Sequence, residues 1–261
     1  MGIERIEPGT IEWDAFYANH IVRYQFAEKY IAGKNITRLL DAACGVGYGA
    51  NYLSAVLAAG TVVAVDRSAH ALQIANKKFS SKNLEFLEDD CHTLAAAAQK
   101  GPYGCVVSFE TLEHLPKPEA FLKACHQNLL DKGLIIISTP NKMVSSPDSL
   151  EWEFHEKEYT AAEFYGLLAS SGFSNIKLFG QQLNLKGKIK NEIRSDLNRI
   201  LSNPFVRAGA WIQQKLRGTQ RKPALKETTD DFEIISFENP AASDNLGKEG
   251  PFVLLAVAEK F

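Results

Sequence analysis

The sequence predicts an α/β fold in which helices cover both faces of a mostly parallel β-sheet. Short runs of β-branched residues alternate with helix-like stretches over the first two thirds of the chain. Such alternation is typical of right-handed βαβ crossovers. The strand-like runs are almost continuously apolar, as in Val62–Val65, which indicates strands buried on both faces. Apolar residues make up 45% of the 261 residues, enough for a core of this kind.

The expected elements follow in chain order. An amphipathic pattern predicts a helix from Trp13 to Ile31, over one edge of the sheet. The strand-like runs are Thr37–Asp41, Thr61–Asp66, Leu84–Leu87, Gly104–Phe109, Leu134–Ser138, Asn175–Phe179 and Phe252–Ala258. The helix-like stretches between them are Gly49–Ala59, Ala69–Phe79, Lys117–Leu130 and Ala161–Ser171.

Charge and cysteine content exclude several classes of protein. The formal net charge is −2, so no overall positive field attracts nucleic acid, and nucleic acid is not an expected partner. The four cysteines form no CxxC pair, which excludes a common zinc pattern and a disulfide framework. The first residues lack the basic start and apolar core of a secretory signal, and the longest near-apolar run, Ala55–Val65, is too short to span a membrane. We therefore expect a soluble, cytoplasmic protein.

A basic segment follows the last of the alternating elements. Residues 182–226 contain eleven Lys or Arg but only Glu192 and Asp196 as acids, a local balance of +9. Its apolar residues at helical spacing are Ile189, Ile193, Leu197, Ile200 and Leu201, followed after Pro204 by a second helix-like stretch at Val206–Leu216 and an expected loop at Arg217–Asp231.

This segment divides the chain into two expected units. Residues 1–181 together with 250–261 form the sheet domain, and residues 182–249 form a basic helical insertion or lid. One interpretation is a solvated helical cap. The other is a surface that selects an anionic or lipid-linked acceptor, or that contacts an acidic membrane through residues 182–226. The oligomeric state does not follow from the sequence.

A glycine-rich loop follows the first expected strand. The run Asp41-Ala42-Ala43-Cys44-Gly45-Val46-Gly47-Tyr48-Gly49 leads directly into a helix. Glycines allow a tight turn and a close backbone approach to a ligand, and a helix N-terminus adds oriented N–H groups. Asp66 closes the second strand about twenty residues later, where an acidic side chain accepts hydrogen bonds from a ribose diol. Together they predict a nucleotide site at the carboxyl edge of the sheet.

The spacing Gly45-x-Gly47-x-Gly49 departs from the G-x-G-x-x-G pattern of dinucleotide-binding proteins, which disfavours an NAD-dependent oxidoreductase. With the preceding Asp41, the loop instead resembles the first motif of class I S-adenosylmethionine-dependent methyltransferases. Four further motifs of that family follow in order, at Val65–Ser68, Leu87–Cys91, Ser108–Glu110 and the strand after Asp131–Gly133.

This resemblance implies a Rossmann-like sheet of seven strands, the last antiparallel, with S-adenosylmethionine as cofactor. The loop backbone at Gly45 and Gly47 would lie along its methionine and ribose, and Asp66 would hold the ribose hydroxyls. Asp90 would bond the adenine amino group. The remaining cofactor-binding candidates are Tyr24, Asp41, Ala43, Arg67, Cys91 beside the adenine ring and Phe109 near the sulfonium. His20, Arg23 and Tyr24 share one helix and belong to a likeness to bacterial methyltransferases of surface-glycan synthesis, which implies that they close over the cofactor; the alternative is that they are ordinary helix-surface and packing residues.

A cluster of acids and imidazoles follows the fourth strand. If Glu110 opens a turn of helix, then Glu113 and His114 project from the same face. His155 is a further imidazole in a later acidic run. Two carboxylates and two imidazoles make a divalent metal site plausible. In the alternative, Glu113 caps local backbone and His114 packs under the cofactor without metal.

A second resemblance favours the metal. The pattern Glu-x-x-Glu-His, then Ser138–Asn141, then a distal His before Glu158–Thr160, is similar to small-RNA 3′-end methyltransferases and ubiquinone-biosynthesis O-methyltransferases. It implies that Glu110, Glu113, His114 and His155 ligate one Mg²⁺-like ion, which would bind two neighbouring acceptor hydroxyls. Without metal, His114 or His155 would serve as the general base.

The sequence as a whole resembles methyltransferases of bacterial polysaccharide and glycan synthesis. We therefore expect an O-methyltransferase acting on a hydroxyl of a sugar or glycan acceptor, with nucleotide- and lipid-linked acceptors included. A quinone-type phenol O-methyltransferase and a non-catalytic cofactor-binding subunit remain the alternatives.

Overall fold

The computed structural model describes residues 9–144, 155–202 and 228–261. They form one eight-stranded sheet in the order β3-β2-β1-β4-β5-β8-β6-β7. The strands are β1 (Arg38–Ala42), β2 (Thr61–Asp66), β3 (Leu84–Glu88), β4 (Tyr103–Ser108), β5 (Leu129–Pro140), β6 (Phe173–Leu183), β7 (Phe232–Phe237) and β8 (Val253–Lys260).

The first five strands are parallel, and the direction changes only beyond β5. Strand β8 runs antiparallel to both β5 and β6, so β6 again points the same way as β5. Val253 lies between Pro140 of β5 and Gln181 of β6, which places these two strand ends at one level. The carboxyl ends of β1, β4, β5 and β6 therefore share one edge of the sheet.

Helices cover both faces. The helices are α1 (Ile11–Ile31), α2 (Tyr48–Val56), α3 (Ala69–Lys78), α4 (Ala95–Ala98), α5 (Pro118–Asn128), α6 (Ala161–Ser170), α7 (Leu185–Ser202) and α8 (Pro240–Asp244). One core cluster joins the sheet to α1, α2 and α3, and the other joins it to α4, α5 and α6. Burial on both faces explains why the central strands read as apolar runs.

Local sequence signals set several helix starts. Thr160 caps α6 and Glu163 bonds back to the Thr160 N–H, which is a complete capping box. The Ser68 side chain accepts from the Ala71 N–H at the start of α3. Helix α5 begins with Pro118, whose missing N–H costs nothing in the first turn.

The expected α/β fold is confirmed, with one correction to the sheet. The expected seven strands are all present, but β7 is an eighth strand at the edge, paired with β6. Its outward positions carry Glu233 and Ser236, which weakened the apolar signal. Strand β7 and helices α7 and α8 all fall in the range 182–249. The domain division stays a prediction, and the expected helix at Val206–Leu216 lies outside the described residues.

None of the helices in the described ranges combines the length and the apolar character that a bilayer crossing requires.

Helices α1 and α2 pack very closely at Gly49, and this contact predicts a destabilising substitution. A Cβ at Gly49, in the first turn of α2, would overlap the ring of Tyr24 on α1. We expect Gly49→Ala to lower the free energy of unfolding by about 1–3 kcal/mol, since overpacking forces neighbours apart. Chemical denaturation followed by circular dichroism measures this.

The matched control is Gly166→Ala in α6. A Cβ there meets no atom within 4 Å, so alanine should stabilise the helix by about 0.5–1 kcal/mol. Equal effects of the two substitutions would contradict the packing assigned to Gly49.

Candidate active site

The candidate site lies at the carboxyl edge of β1, β2 and β4. The loop after β1 has a left-handed backbone at Ala43, Gly45 and Gly47, with φ of 64°, 54° and 83°. Gly47 also packs so close to the Phe86 ring that a Cβ would come within 2.7 Å of it. The predicted glycine loop is therefore a tight turn at the start of α2, and the N–H groups of Cys44, Gly45 and Gly47 donate to Val65, Asp66 and Cys44 respectively.

Asp66 fixes this loop. Its two carboxylate oxygens accept N–H groups from Gly45 at 2.9 Å and from Ser68 at 2.8 Å. The side chain is only 4% exposed. A carboxylate oxygen can accept more than one hydrogen bond, so the expected role toward ribose hydroxyls stays compatible with this geometry.

Asp41 is a buried carboxylate with an unsatisfied oxygen. The Tyr24 hydroxyl donates to Oδ2 at 3.4 Å, whereas Oδ1 has no hydrogen-bond partner among the described residues. Burial raises the pKa of Asp41 to about 8, and the nearby Asp66 charge adds to this rise. A ligand that carries an ammonium group would complete the site.

Arg23 is a buried cation whose charge acts on the Glu113 carboxylate. The side chain is 1% exposed, and its Nη1 donates to the side chains of Asn19 at 3.3 Å and Gln181 at 3.2 Å. Its Nε is buried without a hydrogen bond, and no carboxylate of the described chain forms an ion pair with it. Burial, and next the Arg23 charge, hold the pKa of His20 well below its usual value. Such a guanidinium suits an anionic ligand group.

The loop after β3 separates two neighbouring acids. Asp89 is buried and accepts from the N–H groups of Asp90 and Ala97, so it shapes the loop. Asp90 is 64% exposed, and bonds from His92 lower its pKa. Exposed Arg67 also acts on this carboxylate, which remains accessible as the expected adenine acceptor.

The loop cysteines are thiols without access to water. Cys44 and Cys91 are both buried. Burial raises the pKa of Cys91 to about 12 and that of Cys44 well above its usual value.

An aromatic wall, which we define as Trp13, Tyr17, Tyr24, Tyr48 and Phe109, borders the site. Tyr24 meets the Phe109 ring edge-to-face, with centroids 4.9 Å apart. Tyr48 packs edge-on against Tyr17 and Trp13 at 5.6 and 5.2 Å. Its pKa is raised mainly by burial and partly by acids of the site. The sequence had suggested only Tyr24 and Phe109 here, because the other three rings look like ordinary helix residues.

The backbone after β4 differs from the expected helical turn. Glu110 has φ of 53°, a left-handed conformation, and the short turn of 3₁₀ helix runs from Leu112 to His114. Ser138 donates its hydroxyl to the Glu110 carboxylate at 2.7 Å and accepts the Glu110 N–H. Thr139 donates to Glu113 at 3.1 Å. The Ser-Thr run thus positions both acids.

Three of the four expected metal ligands come together. Ligand atoms of Glu113, His114 and His155 all lie within 4.8 Å of one another. The two imidazole centroids are 4.9 Å apart, and His155 Nδ1 lies 3.1 Å from Glu158. Glu110 is not in this group; its carboxylate is held by Ser138 instead.

Glu113 is the electrostatic centre of the group. It is 1% exposed, and burial together with the Glu110 charge raises its pKa well above the usual range. The Glu113 carbonyl accepts the N–H groups of Glu156 and Lys157, which tethers the segment carrying His155. One carboxylate and two imidazoles match the donors that divalent transition metals and, less closely, Mg²⁺ accept.

Comparison with known proteins agrees with this geometry. Residues 16–178 match the family model described as a methyltransferase domain. The chain is 29% identical, over 97% of its length and 93% of the relative's, to a probable S-adenosylmethionine-dependent methyltransferase of Mycolicibacterium smegmatis. It is 27% identical to a ubiquinone biosynthesis O-methyltransferase of Idiomarina loihiensis, covering 69% of this chain and 80% of the other.

A solved structure from Thermotoga maritima, described as a possible histamine N-methyltransferase, shares the fold. It aligns with a TM-score of 0.60 at 13% identity, over 96% of this chain and 93% of the other. With the glycine loop, Asp66 and the orphaned Asp41 oxygen at one edge, the chain belongs to the S-adenosylmethionine-dependent methyltransferases.

Proposed function

We propose that this methyltransferase acts on a hydroxyl of a sugar or glycan acceptor that carries a second hydroxyl beside it. The observation that carries this proposal is the cluster of Glu113, His114 and His155. S-adenosylmethionine supplies an electrophilic methyl group. The chain's own residues hold both partners in line and prepare the hydroxyl oxygen, and such positioning is a large part of the rate enhancement.

Buried charges would hold the ends of the cofactor. Asp41 has the free oxygen for the ammonium of its methionine part, and Arg23 has the free N–H for the carboxylate. Asp66 would accept from the ribose hydroxyls and Asp90 from the adenine amino group. Phe109, packed on Tyr24, would border the sulfonium end.

The three-residue cluster would activate the acceptor. A divalent ion on Glu113, His114 and His155 would stabilise the charge on a buried carboxylate and lower the pKa of the bound hydroxyl. In the metal-free version, His155 accepts the hydroxyl proton while Glu158 orients its ring at 3.1 Å.

The aromatic wall favours a ring-shaped acceptor. Trp13, Tyr17 and Tyr48 remain partly exposed, and the Glu110 charge acts on Tyr48. Aromatic faces pack well against the apolar face of a ring. The second candidate is a phenol acceptor with neighbouring hydroxyls. It is favoured by the same wall and by the likeness to ubiquinone biosynthesis O-methyltransferases.

The role assigned to Asp41 predicts a pH dependence of cofactor binding. Because its pKa is raised to about 8, the free protein holds a neutral acid below that pH, whereas the cofactor's ammonium favours the carboxylate. Affinity for S-adenosylhomocysteine should therefore rise with pH, by up to about tenfold per unit below about pH 7, with release of one proton. Calorimetry over this range measures the slope.

Two variants test whether Asp41 is the group that releases the proton when the ligand binds. Asp41→Asn should remove the slope. Asp90→Asn should weaken binding but keep the slope, because the Asp90 pKa is already low. A slope that persists in Asp41→Asn would assign the proton to another residue.

The cluster predicts a chelator response. EDTA should reduce the methylation rate roughly 100-fold or more, and Mg²⁺ or Mn²⁺ should restore it. Glu113→Gln and His155→Ala should show the same loss without restoration, whereas His126→Ala, a partly buried histidine on α5 facing Phe173, should not. Activity that resists EDTA but disappears in His155→Ala would select the general-base version.

An acceptor screen tests the function itself. Release of S-adenosylhomocysteine is followed with glycosides, nucleotide sugars and catechols, each beside a deoxy analogue that lacks one neighbouring hydroxyl. We expect turnover of a sugar diol and a loss of at least about tenfold with its deoxy analogue. Turnover of catechols alone would select the phenol function, and turnover of amines or thiols would contradict both.

A further inference from the structure

Helix α7 leaves the sheet at the same edge as the active site. Gln181 near the end of β6 contacts Arg23, and Val253 holds it level with Pro140 at the end of β5. Leu185 follows four residues later, a reach of at most about 14 Å. The first turns of α7 therefore lie beside the opening of the site.

A buried carboxylate fastens this helix to the strand that returns after it. Asp231, which is fully buried, accepts from Lys190 Nζ at 2.6 Å and lies 3.7 Å from Lys186 Nζ. Its carbonyl accepts the Asn184 N–H, and the Asn184 side chain accepts the Gly187 N–H. The start of α7 is thus a fixed platform at the β6–β7 junction.

The opposite side of the first turns of α7 carries both exposed apolar side chains and an exposed lysine. Leu185 is 74% exposed and Ile189, one turn later, is 47% exposed. Lys188 lies on the same face and is exposed, as is Glu192. The Asp231 contacts hold the other side of the helix inward, so Leu185 and Ile189 face away from the part of the core that the structure describes.

We propose that this face, defined as Leu185, Lys188 and Ile189, docks on an anionic lipid bilayer and brings the active-site edge to the membrane surface. Exposed apolar side chains interleaved with lysine are typical of helices that lie in a bilayer interface. The charge of the surrounding segment, +9 over residues 182–226, complements anionic headgroups, although the whole chain carries −2. Apolar side chains contribute little to binding RNA backbones, which disfavours a nucleic acid as the occupant.

Vesicle sedimentation of the full chain tests the proposal. Vesicles of phosphatidylcholine alone are compared with vesicles that also contain phosphatidylglycerol. We expect binding to the anionic vesicles, loss of that binding as NaCl is raised, and little binding to the neutral ones. Lys188→Glu should lower the partition coefficient about tenfold, and Leu185→Asp combined with Ile189→Asp should lower it by at least as much.

The matched controls make the same kinds of substitution at exposed positions outside α7. Lys77→Glu on α3 and Leu246→Asp, an exposed leucine near α8, should leave vesicle binding unchanged. Binding of S-adenosylhomocysteine should be equal in all variants, which shows that each one folds. The proposal is overturned if both vesicle types bind equally, if the α7 variants bind like the wild type, or if a single-stranded RNA binds and vesicles do not.

The vesicle test is independent of the proposed acceptor. Methyl transfer to soluble acceptors is measured without vesicles, so a failed acceptor screen leaves the membrane result intact, and the reverse also holds.

Discussion

The burial of ionisable side chains at one edge of the sheet is the constraint on which the site depends. Parallel strands end at a common edge, and helices on both faces keep water from that edge. Arg23, Asp41 and Glu113 are each no more than 1% exposed there. Burial disfavours the charged forms of Asp41 and Glu113, and Arg23 Nε and Asp41 Oδ1 lack hydrogen-bond partners among the described residues, so a ligand group of opposite charge relieves these costs. Arg23 and Asp41 are therefore complementary to a zwitterion, and Glu113 is complementary to a cation.

Helix α1 connects these charges to the rest of the sheet. Its residues Arg23 and Tyr24 sit over the ends of β1 and β4, and Asn19 bonds Gln181 at the end of β6. One rigid element thus sets the distance between the cofactor loop, the aromatic wall and the base of α7. The close approach of Tyr24 to Gly49 shows how tightly that distance is fixed.

Residues next to a strand end were predictable from sequence. Asp41, Gly45, Gly47 and Asp66 follow strands whose apolar runs are clear, and parallel pairing brings such ends together. The partnership of Arg23 with Gln181 was not predictable, because the two residues are 158 positions apart and Gln181 belongs to no motif. Glu110 was misplaced since its left-handed backbone depends on Ser138, which comes from the next strand. The edge strand β7 was missed because polar residues at its two exposed positions, Glu233 and Ser236, interrupt the apolar run.

The two buried thiols, Cys44 and Cys91, provide a way to measure how readily the loops that carry them open. Cys44 lies inside the glycine loop and Cys91 follows Asp90; they are only 3% and 9% exposed, so a reagent reaches either thiol mainly when its own loop opens. A thiolate is the reactive form, and both pKa values are raised, so reaction in the closed state is suppressed twice over. The rate at which a thiol reagent labels each cysteine therefore measures the free energy of opening of the loop that carries it. The decrease in that rate when the cofactor is bound measures how much cofactor binding stabilises that loop in its closed form.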